Sequence, residues 1–139
     1  MALIRVVCGL IFNDEKILIC RRKEGKSLAG FWEFPGGKVE RNESDNDALV
    51  RELLEELDMD VNVHEHFTTV EHQSETLSIE LVAINCTFVR SSFTLTDHDR
   101  YEWIGVDELP LRTLAVRFFL TPAELRDLDF VSFFSSETS

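Results

Sequence analysis

Three glutamates, Glu52, Glu55 and Glu56, stand at i, i+3 and i+4, the spacing that stacks side chains on one flank of a helix. Like charges at that spacing work against the helix, and only Arg51 lies near enough to offset them. Upstream, Gly36-Gly37 allows a tight backbone turn and a close approach to a ligand, Glu43 ends the loop that follows, and Ser44 can cap the first helical turn. Hard divalent cations want more oxygen ligands than one carboxylate supplies. A glycine turn with a free carbonyl beside three helical carboxylates would hold Mg²⁺ or Mn²⁺ and leave positions for water and phosphate oxygens. The basic cluster Arg21-Arg22-Lys23 could meet the phosphates of such a complex. The same pattern would also serve as a solvated acidic helix face, and these residues by themselves leave both readings open.

Charge is distributed unevenly. The chain of 139 residues has a formal net charge of -12. Residues 1–26 carry a net +3, residues 27–60 a net -7 and residues 61–139 a net -8, so the middle segment is the densest in negative charge. A pI near 4.7 excludes long polyanions such as duplex DNA as natural partners. No apolar run is long enough to span a bilayer, and no basic leader precedes an apolar core, so a cytoplasmic protein without a membrane partner is expected. Cys8, Cys20 and Cys86 are odd in number and lack metal-ligand spacing, which predicts reduced core residues.

The elements that must position these groups read as one mixed α/β domain over residues 1–139. Residues 3–12 and 16–21 are apolar runs around the polar turn Asn13-Asp14-Glu15 and predict a β-hairpin. Residues 23–30 read as a loop, residues 31–34 as a short aromatic strand, and Pro35-Gly36-Gly37 as its terminating turn. Residues 44–57 are helical, with Leu49, Val50, Leu53, Leu54 and Leu57 on an apolar arc and Arg51, Glu52, Glu55 and Glu56 opposite. Strands are expected at 61–70, 77–88 and 101–106, then helices at 111–120 and from Thr121, where Pro122 and Glu124 complete a capping box.

The stretch from Gly37 to Met59 resembles the Nudix box, G-x5-E-x7-R-E-U-x-E-E-x-G-U, where U is a bulky aliphatic residue. Here Gly37, Glu43, Arg51, Glu52, Leu53, Glu55, Glu56 and Met59 fill the pattern over 23 residues. Asp58 stands in place of the last glycine, at an expected left-handed helix cap. The segment from Phe31 to Glu40 is similar to the approach to the box in the MutT branch. Cys20-Arg21-Arg22 is similar to the end of that branch's second strand, and Asp97-His98-Asp99 before Trp103 to its acidic loop. The resemblance covers most of residues 4–106 and weakens beyond Pro110.

The resemblance implies an α+β fold, an α/β/α sandwich with a central mixed sheet and a loop-helix that carries the box. It implies Mg²⁺-dependent hydrolysis of nucleoside triphosphates to monophosphate and pyrophosphate. Glu55 and Glu56 would bind Mg²⁺ or Mn²⁺ with the Gly36 carbonyl. Glu52 would be a third ligand or the base that activates water, and Asp97, where the family often has the longer Glu, could share that work. Arg22 and Lys38 are candidates for phosphate contacts. Arg51 would orient Glu43 or Glu52, which suits a bidentate guanidinium. Phe34, Trp32 and Phe67 could stack on a base or belong to the core.

MutT enzymes that read 8-oxoguanine tend to carry Asn or Asp shortly after a proline like Pro110. Residues 111–115 here read Leu-Arg-Thr-Leu-Ala, which favours a CTP or dCTP pyrophosphohydrolase over an enzyme for oxidised dGTP. Hydrolysis of ADP-ribose or a dinucleotide is the alternative, although the proline expected about sixteen residues after the box is absent. A non-catalytic nucleotide sensor is disfavoured by the complete set of box glutamates. His64, His66, His72 and His98 have no metal-ligand spacing, and only His98 falls near the expected site. Phe118, Phe119, Phe130, Phe133 and Phe134 would complete the core or make a dimer contact, so a monomer and a homodimer both remain open.

Overall fold

Residues buried on both faces of a sheet read as continuous apolar runs rather than as alternation, and the two runs at the start of the chain behave this way. They form β1 (Ala2–Asn13) and β2 (Lys16–Arg22), joined at a turn where Asp14 takes φ 57°. The computed structural model describes residues 2–26, 29–73 and 77–111. Its other elements are β3 (Trp32–Glu33), β4 (Gly36–Lys38), α1 (Asp45–Leu57), β5 (Met59–Gln73), β6 (Leu77–Ser91) and β7 (His98–Gly105), followed by a 3-10 turn at Val106–Leu111. The helices expected at 111–120 and from Thr121 lie outside the described residues.

All seven strands belong to one mixed sheet whose main path runs β3-β2-β1-β6-β5, with β7 paired to β2 and β4 to β1. β1 and β6 are parallel over Ala2↔Leu77 to Phe12↔Thr87, whereas β5 and β6 form a long antiparallel pair. β1 and β2 pair only beside their turn, at Phe12↔Ile17 and Asn13↔Lys16. Beyond that point they diverge: β1 takes β4 as its neighbour and β2 takes β3. The site described below lies in this fork.

Alternate residues of the central strands enter two cores. Val7, Ile11, Leu18, Cys20, Val82 and Ile84 face α1, where Ala48, Leu49, Leu53 and Leu57 are fully buried. Cys8, Leu10, Ile17, Ile19, Leu81 and Ala83 face the opposite way, toward Trp32, Phe34 and Ile104. The three cysteines are buried and unpaired, as their spacing predicts. No helix among the described residues is long and apolar enough to cross a membrane.

Two readings of the sequence need correction. Gly36 and Gly37 are not a turn but two-thirds of β4, and their glycine requirement comes from crowding. A Cβ on Gly36 would run into the Val7 carbonyl, and one on Gly37 into the Glu52 carboxylate. The buried face of α1 is also rotated from the apolar arc. Val50 is 47% and Leu54 50% exposed, while Glu56 is buried beside Leu49, Leu53 and Leu57. On the wheel Glu56 falls about 20° from Leu49, so a face centred on Leu49 and Leu53 must take it inside.

Candidate functional site

Local chemistry sets the frame of α1 at both ends. Ser44 is the N-cap, its hydroxyl accepting from the Asp47 N–H at 3.1 Å, and Asp58 closes the helix in the left-handed region at φ 49°, ψ 47°. Arg51 then ties the helix to the loop before it. Its Nε and Nη2 donate to the two Glu43 oxygens at 2.8 and 2.9 Å, and Nη2 also donates to the Lys38 carbonyl at 3.0 Å. Nη1 donates to Glu52 at 2.8 Å and to Glu55 at 3.3 Å. This clamp holds the Glu43 carboxyl well below the usual range, at about 2, with help from the Glu40 N–H. Arg51 thus reaches both carboxylates named for it, Glu43 and Glu52.

A cavity of about 360 Å³ opens in the fork, within the size range of small-molecule sites (~300–1,000 Å³). Glu52 and Glu56 from α1, Gly36 and Lys38 from β4, Arg22 from β2 and Asp97 before β7 all line it. Phe34 and Leu81 form an apolar flank. Of the three helical glutamates, Glu55 is the exception: its side chain is 60% exposed, lies outside the cavity wall and is engaged by Arg51. Trp32, Phe34 and Phe67 all pack in the core facing away from α1, and of the three only Phe34, itself 5% exposed, also lines the cavity.

Sequence reasoning passed over two further wall residues, Lys26 and Glu33. Lys26 pairs with Asp97 at 3.1 Å, and the Asp97 carbonyl accepts from the Lys23 N–H at 3.2 Å, so residues 23–26 are fastened to the acidic loop. Glu33 accepts from Arg22 Nη1 at 3.0 and 3.1 Å and contacts His98 Nε2 at 2.7 Å. Glu33 stands inside the aromatic run that resembles the approach to the box, which was its only signal. Lys26 had none beyond its place in a basic stretch.

Four carboxyl groups, Glu33, Glu52, Glu56 and Asp97, are gathered on the cavity wall. Burial first, and then the nearby Glu33, Glu52 and Asp97, together push the Glu56 carboxyl up to about 9, opposed by a backbone hydrogen bond from Gly36. Burial also raises Glu52, against the pull of Arg51. Glu56 Oε1 is buried without a hydrogen-bond partner among the described residues. Among those residues no three Asp, Glu, His or Cys side chains are gathered closely enough to hold a metal ion by themselves. A wall of carboxylate oxygens with one left unpaired nevertheless fits a hard divalent cation that takes its remaining ligands from backbone, water and phosphate. Buried thiols contribute little here, since burial pushes Cys8 up to about 12.

Comparison with known proteins gives consistent results. The NUDIX domain family matches residues 6–117. The chain is 34% identical over 125 residues to the CTP pyrophosphohydrolase of Escherichia coli (strain K12), covering 90% of this chain and 88% of that protein. It is 40% identical over 70 residues to the 8-oxo-dGTP diphosphatase of Proteus vulgaris, covering 50% of this chain and 62% of that one. In three dimensions it resembles the crystal structure of the MutT protein from Methanosarcina mazei Go1, with a TM-score of 0.76 at 27% identity, covering 99% and 96% of the two chains.

Proposed function

Because the chain belongs to the NUDIX domain family, and so to the hydrolases of nucleotide anhydrides, we propose that it splits nucleoside triphosphates into monophosphate and pyrophosphate with the help of Mg²⁺ or Mn²⁺. The observation that carries this reading is the pairing of Glu52 and Glu56 with Arg22 and Lys38 around one cavity. Cation-binding and phosphate-binding groups thus face the same space. CTP or dCTP is the favoured substrate. The similarity to a CTP pyrophosphohydrolase extends over nine-tenths of the chain, and residues 111–115 offer no amide or carboxylate for an oxidised purine. The similarity to 8-oxo-dGTP diphosphatases makes oxidised dGTP the second candidate.

In this reading Glu56 and the Gly36 carbonyl would hold the divalent cation, which leaves Glu52 free to act as the base. Glu55 would join by turning from Arg51, and Asp97 by releasing Lys26. A bound cation would supply charge neutralisation on the phosphates and a lowered pKa for water. The chain's own groups do the rest. Glu52, one oxygen fixed by Arg51, is raised toward the range of a useful base and accepts the proton of the attacking water; Asp97 can share this task. Arg22 and Lys38 hold the phosphate oxygens, and Phe34 offers a face for the base. No polymeric nucleic acid is needed as a partner, and the acidic chain suits a small polyphosphate that arrives with its cation. A panel of nucleotides assayed with Mg²⁺ for pyrophosphate release tests the proposal. Release fastest from CTP or dCTP is expected; phosphate or sugar-phosphate products, with no pyrophosphate from any triphosphate, would sink it.

A further inference from the structure

We infer that His98 is a positioning residue for Glu56, fixing its carboxylate through a part-buried Glu33–His98–Glu56 chain. The inference rests on the reading above that Glu56 takes a divalent cation. Its basis is geometric. Arg21 pairs with Arg100 while Arg22 pairs with His98, so Asp99 is an additional residue on β7. Such a bulge re-aims side chains. Here Asp99 goes outward, where Arg21 Nε donates to it at 2.8 Å, and the His98 side chain is 0% exposed.

Inside, the imidazole stands between two carboxylates. Nε2 lies 2.7 Å from Glu33 Oε2, and Glu33 is itself anchored by Arg22. Nδ1 lies 3.8 Å from Glu56 Oε2. Nδ1 and Glu56 Oε1 are both buried without hydrogen-bond partners among the described residues. A movement of about 1 Å brings Nδ1 and Oε2 to hydrogen-bond distance. That contact fixes Oε2 and leaves Oε1 as the oxygen in want of a ligand. The chain also runs to Arg22, so a group that faces phosphate is tied through Glu33 and His98 to a group that faces the cation.

The test is Mn²⁺ binding to the full-length metal-free protein, followed by electron paramagnetic resonance of the free ion. His98→Gln can keep the contact to Glu33 but not the one to Glu56. It should weaken Mn²⁺ binding about ten- to a hundredfold, the range for residues that orient a metal ligand, and lower kcat more than it raises KM. His98→Asn, whose amide nitrogen sits close to the place of Nδ1, should bind Mn²⁺ more tightly than His98→Gln. Thermal unfolding establishes that both variants are folded. In the unaltered protein, the His98 imidazole ¹⁵N resonances should move on addition of Mg²⁺, which keeps the test open if a variant fails to fold. Folded variants with unchanged Mn²⁺ affinity, equal losses in both, or unmoved imidazole resonances in a protein that binds the cation would overturn the positioning role alone. An unaltered protein that takes up neither ion would overturn the cation reading itself, and this inference with it.

Discussion

Arg51 holds three parts of the molecule at once: Glu43 at the end of the loop, the Lys38 carbonyl of β4, and Glu52 on its own helix. A lysine carries one ammonium and cannot serve all three directions. Arg51→Lys should lose about 1–2 kcal/mol of stability in urea titrations. The pH dependence should change as well. Glu43 is held near 2, so its contribution is present above its ordinary value of 4.5 and is lost as pH falls toward 2. The variant should show a smaller acid-side loss. Glu56 acts in the opposite sense. Glu56→Gln keeps the shape and removes the charge, so turnover should fall by about three orders of magnitude. The metal-free variant should nevertheless melt a few degrees higher at pH 8 by calorimetry, roughly the shift expected for 1 kcal/mol in a chain of this size. A lower melting temperature would show that Glu56 is paired in the metal-free fold.

At the scale of elements, α1 is bounded by two residues with opposite fitness for their posts. Ser44 suits its cap, whereas Asp58 occupies a left-handed position that glycine accepts without strain. Asp58→Gly should gain about 0.5–1 kcal/mol with turnover nearly unchanged, since Asp58 touches nothing in the cavity. Gly37→Ala should do the reverse. Its Cβ would displace the Glu52 carboxylate, so activity should drop at least tenfold even where calorimetry finds the fold intact. These two elements also show what a sequence reveals. The helix and its caps were legible because their partners lie within a few residues, whereas a clamp of Arg51 on Glu43 or Glu52 was expected only through the family resemblance. β4 was misread because Pro35-Gly36-Gly37 signals a turn, whereas the need for glycine came from Val7, distant in sequence. The exposure of Val50 and Leu54 was hidden because a wheel ranks hydrophobicity and cannot know that Glu56 must point inward. The Glu33–His98 contact spans 65 positions and depends on a bulge, so no local pattern announced it.

For the whole molecule, the raised carboxyl of Glu56 makes stability depend on protons and, in the reading proposed above, on cations. Glu56 is raised to about 9 from 4.5, so the folded protein binds more protons than the unfolded chain between those values. Its contribution is full below pH 4.5 and declines as pH rises through about 9. The melting temperature of the metal-free protein should therefore decrease from pH 5 to 9, and millimolar Mg²⁺ should restore it at the alkaline end through preferential binding to the native state. An alkaline melting curve that Mg²⁺ leaves unmoved would argue against a cation on this wall.

The parallel pairing of β1 with β6 has a consequence for how the chain is born. β1 precedes the strands it pairs with, is apolar on both faces, and finds its principal partner only when residues 77–87 have been synthesised. The hairpin with β2 offers it only two residue pairs in the meantime. Closing so long a loop makes folding slow relative to helical chains of the same length. A nascent or truncated chain that stops before β6 would present an unpaired hydrophobic edge and no assembled cavity, making such fragments targets for chaperones rather than slow versions of the enzyme.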